Sequence, residues 1–65
     1  MNNLKKTRQL KNSTQKKVSS NAKITERAYQ SYEYGDREPK VRTAIRIAKA
    51  LNTTVEELWD GNPTK

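Results

Sequence analysis

Apolar positions are sparse in this chain, and they fall into short helical groups. The longest group is Val41, Ala44, Ile45, Ala48 and Leu51. Its spacing of three and four predicts an amphipathic helix from about Lys40 to Leu51, with these five inward and Ile47 on the flank. Arg42, Arg46 and Lys49 form its outer stripe, expected to be a solvated face. Upstream, Ile24, Ala28, Tyr29 and Tyr32 share one face of a predicted helix over 26–34. Core filling is the expected role of both tyrosines, with base stacking as the alternative. Glu26, Arg27, Gln30 and Ser31 lie on the opposite face. A helix over 15–22 has Val18 as its one sizeable apolar residue, with Ser19 and Ala22 small enough for close helix contact. A first helix is expected over 2–10, where Leu4 and Leu10 lie about 120° apart. Leu4 and Thr7 should face inward with Arg8 beside them, and Leu10 outward. No stretch alternates strongly enough to be a strand.

The polar residues between these groups read as helix ends. Asn2 or Asn3 can cap the first helix, and Thr14 and Thr25 suit the N-caps of the second and third. Gly35 closes the third helix, since glycine tolerates the left-handed position past a helix end. Asn12 is expected to be left-handed in the connector 11–13. Only Lys23 and Ile24 separate the second helix from the Thr25 cap, so the two helices must cross steeply, as in a helix-turn-helix. Asp36 to Pro39 forms a loop into the fourth helix, and Asn52 ends that helix. Thr54 and Glu57 have capping-box spacing and open a short fifth helix through Leu58 and Trp59. Residues 60–65 form a breaker-rich tail.

With 65 residues there is room for one small domain spanning 1–65, and its mean hydropathy is −1.20. Disorder is the competing reading for so polar a chain, and the caps and periodic segments argue against it. The formal charge is +7 and the pI about 10.0. All of the excess sits at one end: residues 1–25 carry seven Lys/Arg and no Asp or Glu, while 26–65 balance. Such a patch implies a polyanionic partner, nucleic acid or an anionic membrane surface. With no Cys and no His, disulfides, Cys/His zinc sites and imidazole catalysis are excluded. There is no phosphate loop and no nucleophile–base set. An enzyme, a cofactor and a small-molecule ligand are therefore not expected. No apolar run has the length of a spanning helix or a signal core, so a cytoplasmic protein is expected, nucleoid-associated where its polyanionic partner is DNA.

The ordered residues Gln15, Ile24, Tyr29, Tyr32, Glu33 and Gly35, then Pro39, the run Ile47 to Leu51 and the run Thr54 to Leu58, carry a resemblance. Over about 4–59 the chain resembles the phage repressor/Cro-like, or xenobiotic-response-element-like, helix-turn-helix family. The chain departs from that pattern at Leu10, Ser19, Ala22 and Lys23, where the family usually has a polar residue, Ala, a larger aliphatic and Gly. The Lys23 departure forces a lysine to positive φ at a cost of roughly 1 kcal/mol.

The resemblance implies an all-α, compact five-helix, lambda-repressor-like domain. It also implies a sequence-specific transcriptional regulator, a repressor of bacterial or phage origin, with double-stranded DNA as partner. In this geometry the second helix of the motif enters the major groove. Glu26, Arg27 and Ser31 match the family's main base-contacting positions, with Ala28 and Gln30 as further candidates. Arg can grip guanine, Glu can accept from cytosine N4, and Ala28 can meet a thymine methyl. Glu26 is alternatively a partner of the helix dipole. Gln15 matches the family's phosphate-contacting glutamine at a helix start, and Lys16, Arg37 and Lys40 are further phosphate candidates. Arg8 and Glu33 match a structural ion pair. Dimerisation would use the domain surface, with Leu58, Trp59 and the tail as the expected homodimer contact. Two rivals remain. One is a protein-interaction module on the same fold, an antitoxin-like or anti-repressor partner. The other is a membrane-surface peptide, which would need a broad apolar face that the basic helices lack.

Overall fold

Two helices of this chain are started by threonine side chains, and all four α-helices are closed by backbone N–H groups. The computed structural model describes residues 2–60. Four α-helices follow in order: α1 Leu4–Leu10, α2 Gln15–Ala22, α3 Glu26–Tyr34 and α4 Val41–Ala50. A last element, α5, is a single wide π-type turn over Glu56–Asp60. The fold is the all-α arrangement expected.

The caps carry the boundaries. Thr14 Oγ1 accepts from the Lys17 N–H and Thr25 Oγ1 from the Ala28 N–H, both at 3.0 Å. Lys23 (φ 61°) and Gly35 (φ 84°) close α2 and α3 in the left-handed conformation. Asn12 and Asn52 are left-handed too, at φ 55° and 57°, which asparagine tolerates better than most residues. Lysine has no such tolerance. Lys23→Gly is therefore expected to raise the stability of the fold by about 0.5–1 kcal/mol. A urea melt would read this as a higher midpoint at unchanged slope, and a lower midpoint would refute it.

The first helix starts two residues later than expected, with Asn2 serving its first N–H and Asn3 tied to the far end of the fold. Asn2 Oδ1 accepts from the Leu4 N–H at 3.0 Å, and Asn2 Nδ2 donates to the Tyr32 carbonyl at 2.7 Å. Asn3 donates twice to α5, from its N–H to the Leu58 carbonyl and from Nδ2 to the Glu57 carbonyl. The two ends of the fold are thereby stapled together. The capping box of α5 is only half made. Thr54 Oγ1 accepts from the Glu57 N–H, but the Glu57 carboxylate accepts from the Thr53 hydroxyl at 2.7 Å.

The core gathers Leu4, Val18, Ala22, Tyr29, Ile47, Ala48, Leu51 and Leu58. Small residues let α2 approach α4 closely: Ser19 and Ala22 on one side, Ala44 and Ala48 on the other. That contact corrects the expected face of α4. Ile47 is fully buried, whereas Val41 and Ile45 are 75% and 41% exposed. The buried stripe is Ala44, Ile47, Ala48 and Leu51, centred about 45° round the helix from the one predicted. Leu10 is exposed as expected. Leu58 is fully buried, which corrects its assignment as a dimer contact, since it has no surface to offer. Trp59 is half-buried at the core edge. The tail beyond residue 60 lies outside the described residues.

Candidate nucleic-acid interface

The sharp turn at Lys23 and Ile24 sets α3 across α2, so that Gln30 and Glu33 meet Gln15 at the start of α2 while Glu26 opens α3. Glu26 and Arg27 are exposed there, and Ala28, Gln30 and Ser31 are half-buried. The Ser31 hydroxyl donates to the Arg27 carbonyl at 3.2 Å. At the start of α2 a shallow cleft is lined by Lys5, Arg8, Gln15, Lys16, Glu26 and Tyr34, among others. The first N–H groups of a helix have no intrahelical acceptor. The cleft therefore joins free donors to the side chains of Lys5 and Lys16.

Beneath this cleft lies a polar network. Arg8 donates from Nε to Glu33 Oε2 at 2.7 Å, from Nη2 to Glu33 Oε1 at 3.3 Å, and from Nη1 to the Ser13 carbonyl at 3.0 Å. The side chains of Arg8 and Glu33 are 13% and 1% exposed. Gln15 Nε2 donates to Glu33 Oε1 at 2.9 Å, and Gln15 Oε1 accepts from Gln30 Nε2 at 3.1 Å. Burial pushes the Glu33 carboxyl up, but the hydrogen bonds from Arg8 and Gln15 outweigh it and hold it below the usual carboxylate range. The hydrogen bond to Glu33 in turn raises the Arg8 guanidinium. The Tyr29 hydroxyl is buried beside the pair without a well-formed hydrogen bond. Desolvation, then the neighbouring Glu33, pushes its phenol well above the ordinary value.

The structure brings only some of the candidate residues together. Gln15, Lys16 and Glu26 share the cleft. Arg37 lies on another groove, with Pro39, Val41 and Trp59. Lys40 is the exposed residue that precedes α4. Tyr29 is fully buried and cannot stack on a base, and Tyr32 packs against the core. Arg46 is exposed as expected for the outer stripe, and its Nε also donates to the Ala22 carbonyl at 2.9 Å and ties α4 to the end of α2. Lys5 and Tyr34 line the cleft but were not among the sequence candidates. Their positions one helical turn either side of known partners, Lys5 before Arg8 and Tyr34 after Gln30, were the available signal.

The helix-turn-helix family model matches residues 4–58, nearly the whole of the described fold. The chain belongs to the repressor/Cro-like helix-turn-helix family. Within that family its departures at Ser19, Ala22 and Lys23 fall on the α2–α4 contact and the turn, and the motif closes over them. A Bacillus subtilis (strain 168) protein, "Uncharacterized HTH-type transcriptional regulator YqaE", is 41% identical over 59 residues. That match covers 91% of this chain and 51% of the relative, so the chain spans about half the length of the protein it resembles. Among the described residues no helix is long and apolar enough to cross a membrane, and no group of His, Cys, Asp and Glu could hold a metal ion.

Proposed function

We propose that this helix-turn-helix chain is a sequence-specific DNA-binding regulator of transcription, a cytoplasmic repressor that lays α3 in the major groove. The observation that carries this reading is the exposed polar start of α3 beside the cationic cleft at the start of α2. A helix N-terminus with lysines around it suits a phosphate, and a solvated helix face next to it suits base edges. Glu26, Arg27 and Ser31 would read bases, and Ala28 and Gln30 flank them. Gln15, Lys16, Arg37 and Lys40 would hold the backbone on either side. Arg8 and Glu33 would keep α3 in register with α1. Family membership and the name of the Bacillus relative support a regulatory role. A homodimer belongs to this reading, and Trp59 is the residue left to serve it.

The test is the salt dependence of binding to a duplex chosen by random-site selection. Each neutralised phosphate contributes about −0.9 to the slope of log affinity against log salt. Lys16, Arg37 and Lys40 together should make that slope steeper than about −2. Affinity that barely changes between low and physiological salt would refute the proposal. It would favour the same fold as a protein-interaction module, for which the exposed Glu26 carboxylate in the cleft is the supporting observation.

A further inference from the structure

The hydrogen-bond chain from Glu33 to α3 has a direction. Glu33 is ionised at neutral pH, so it can only accept. The atom of Gln15 that faces it must then be the amide nitrogen, which donates at 2.9 Å. This leaves Gln15 with its carbonyl on the far side, where Oε1 accepts from Gln30 Nε2 at 3.1 Å. Gln30 is fixed in its turn. Its nitrogen faces Gln15, and among the described residues no donor reaches its Oε1. Gln30 stands one helical turn after Glu26 and next to Ser31, at the seam between α2 and α3.

We infer that Gln30 is a specificity-determining residue whose carbonyl oxygen accepts from an exocyclic amino group in the major groove, cytosine N4 or adenine N6. Glu33 and Gln15 are the positioning residues that set this polarity. The inference rests on reading α3 as the helix that enters the groove. A free glutamine presents oxygen or nitrogen by a half-turn of its last torsion, and so meets donor and acceptor edges alike. Here a flip of Gln30 would set carbonyl against carbonyl across the 3.1 Å now spanned by the bond. A flip of Gln15 would set a carbonyl against the buried carboxylate at 2.9 Å. Both flips are costly, because each leaves acceptors opposed without a proton between them. Guanine O6 and thymine O4 offer only acceptors, and the fixed oxygen of Gln30 rejects them.

The experiment uses the full chain and its selected duplex, with single bases replaced by analogues that lack the amino group: purine for adenine, pyrimidin-2-one for cytosine. At one position the wild type should lose about tenfold or more in affinity on removal of that group. The analogue that causes the loss identifies the base. Gln30→Ala should bind both duplexes equally, with a thermal midpoint near that of the wild type. Gln15→Leu should weaken all sequences and also shrink the loss at that position. The double variant should discriminate no more there than Gln30→Ala alone, because the two act through one contact. Discrimination by Gln30 that follows removal of guanine O6 or thymine O4 would overturn the polarity. Discrimination untouched by Gln15→Leu would overturn the positioning role. No position at which Gln30→Ala changes the analogue's effect would overturn Gln30 as a reader. A wild type with no salt-dependent duplex binding would remove the DNA reading itself, and this inference with it.

Discussion

Glu33→Ala is expected to destabilise the fold by about 3–5 kcal/mol, because it leaves a buried charge without its partner. The carboxylate is 1% exposed and the Arg8 side chain 13%. Arg8 would keep only its bond to the Ser13 carbonyl, and Gln15 would lose its acceptor. A domain this small has a total stability on the order of 5 kcal/mol or somewhat more, so the variant should be largely unfolded under mild conditions. A urea melt gives the answer, and an unchanged midpoint would refute the structural role of the pair. The same group fixes the acid limb of stability. Its folded pKa lies below the usual range, because hydrogen bonds outweigh burial. The stabilisation is therefore fully present above the unfolded carboxyl value of about 4.3 and is lost as pH falls through the folded value. Glu33→Gln, which has no carboxyl to titrate, should flatten that limb.

Arg27→Ala should cost about 1–3 kcal/mol at the specific site if Arg27 grips a guanine. Arg27 is exposed at the second position of α3, and no hydrogen bond or ion pair engages its side chain among the described residues. Removing the side chain should therefore leave thermal stability almost unchanged. The loss should shrink on a site where that one base pair is already altered. Lys40→Ala is the control. As an exposed residue held to be a phosphate contact, it should weaken cognate, variant and random DNA about equally. Equal losses for Arg27→Ala on all three duplexes would reassign it to the backbone. No loss on any would move the reading surface off this part of α3.

The helices and most of their ends were legible from local residue patterns. Thr14, Thr25, Gly35 and Asn52 act on their own nearest backbone groups, so their roles are local and legible in a line of residues. The strained turn at Lys23 was legible for the same reason, as was the excess charge of residues 1–25. Which stripe of α4 is buried depends on helix packing. A helical wheel accepts Val41, Ala44, Ile45, Ala48 and Leu51 as readily as Ala44, Ile47, Ala48 and Leu51. Only the close approach of α2 through Ser19 and Ala22 selects the second set. Three further features depend on partners far away in the chain. Leu58 is buried against elements from the other end, Arg46 reaches the Ala22 carbonyl 24 residues back, and Glu33 bonds both Arg8 and Gln15. Position in sequence carries no record of such distances, since they exist only once the helices have crossed. The candidate site divides along the same line. Arg27 and Lys16 were legible as exposed charges on predicted helix faces. The order Glu33, Gln15, Gln30 required the fold, because an amide has no preferred end until a buried carboxylate gives it one.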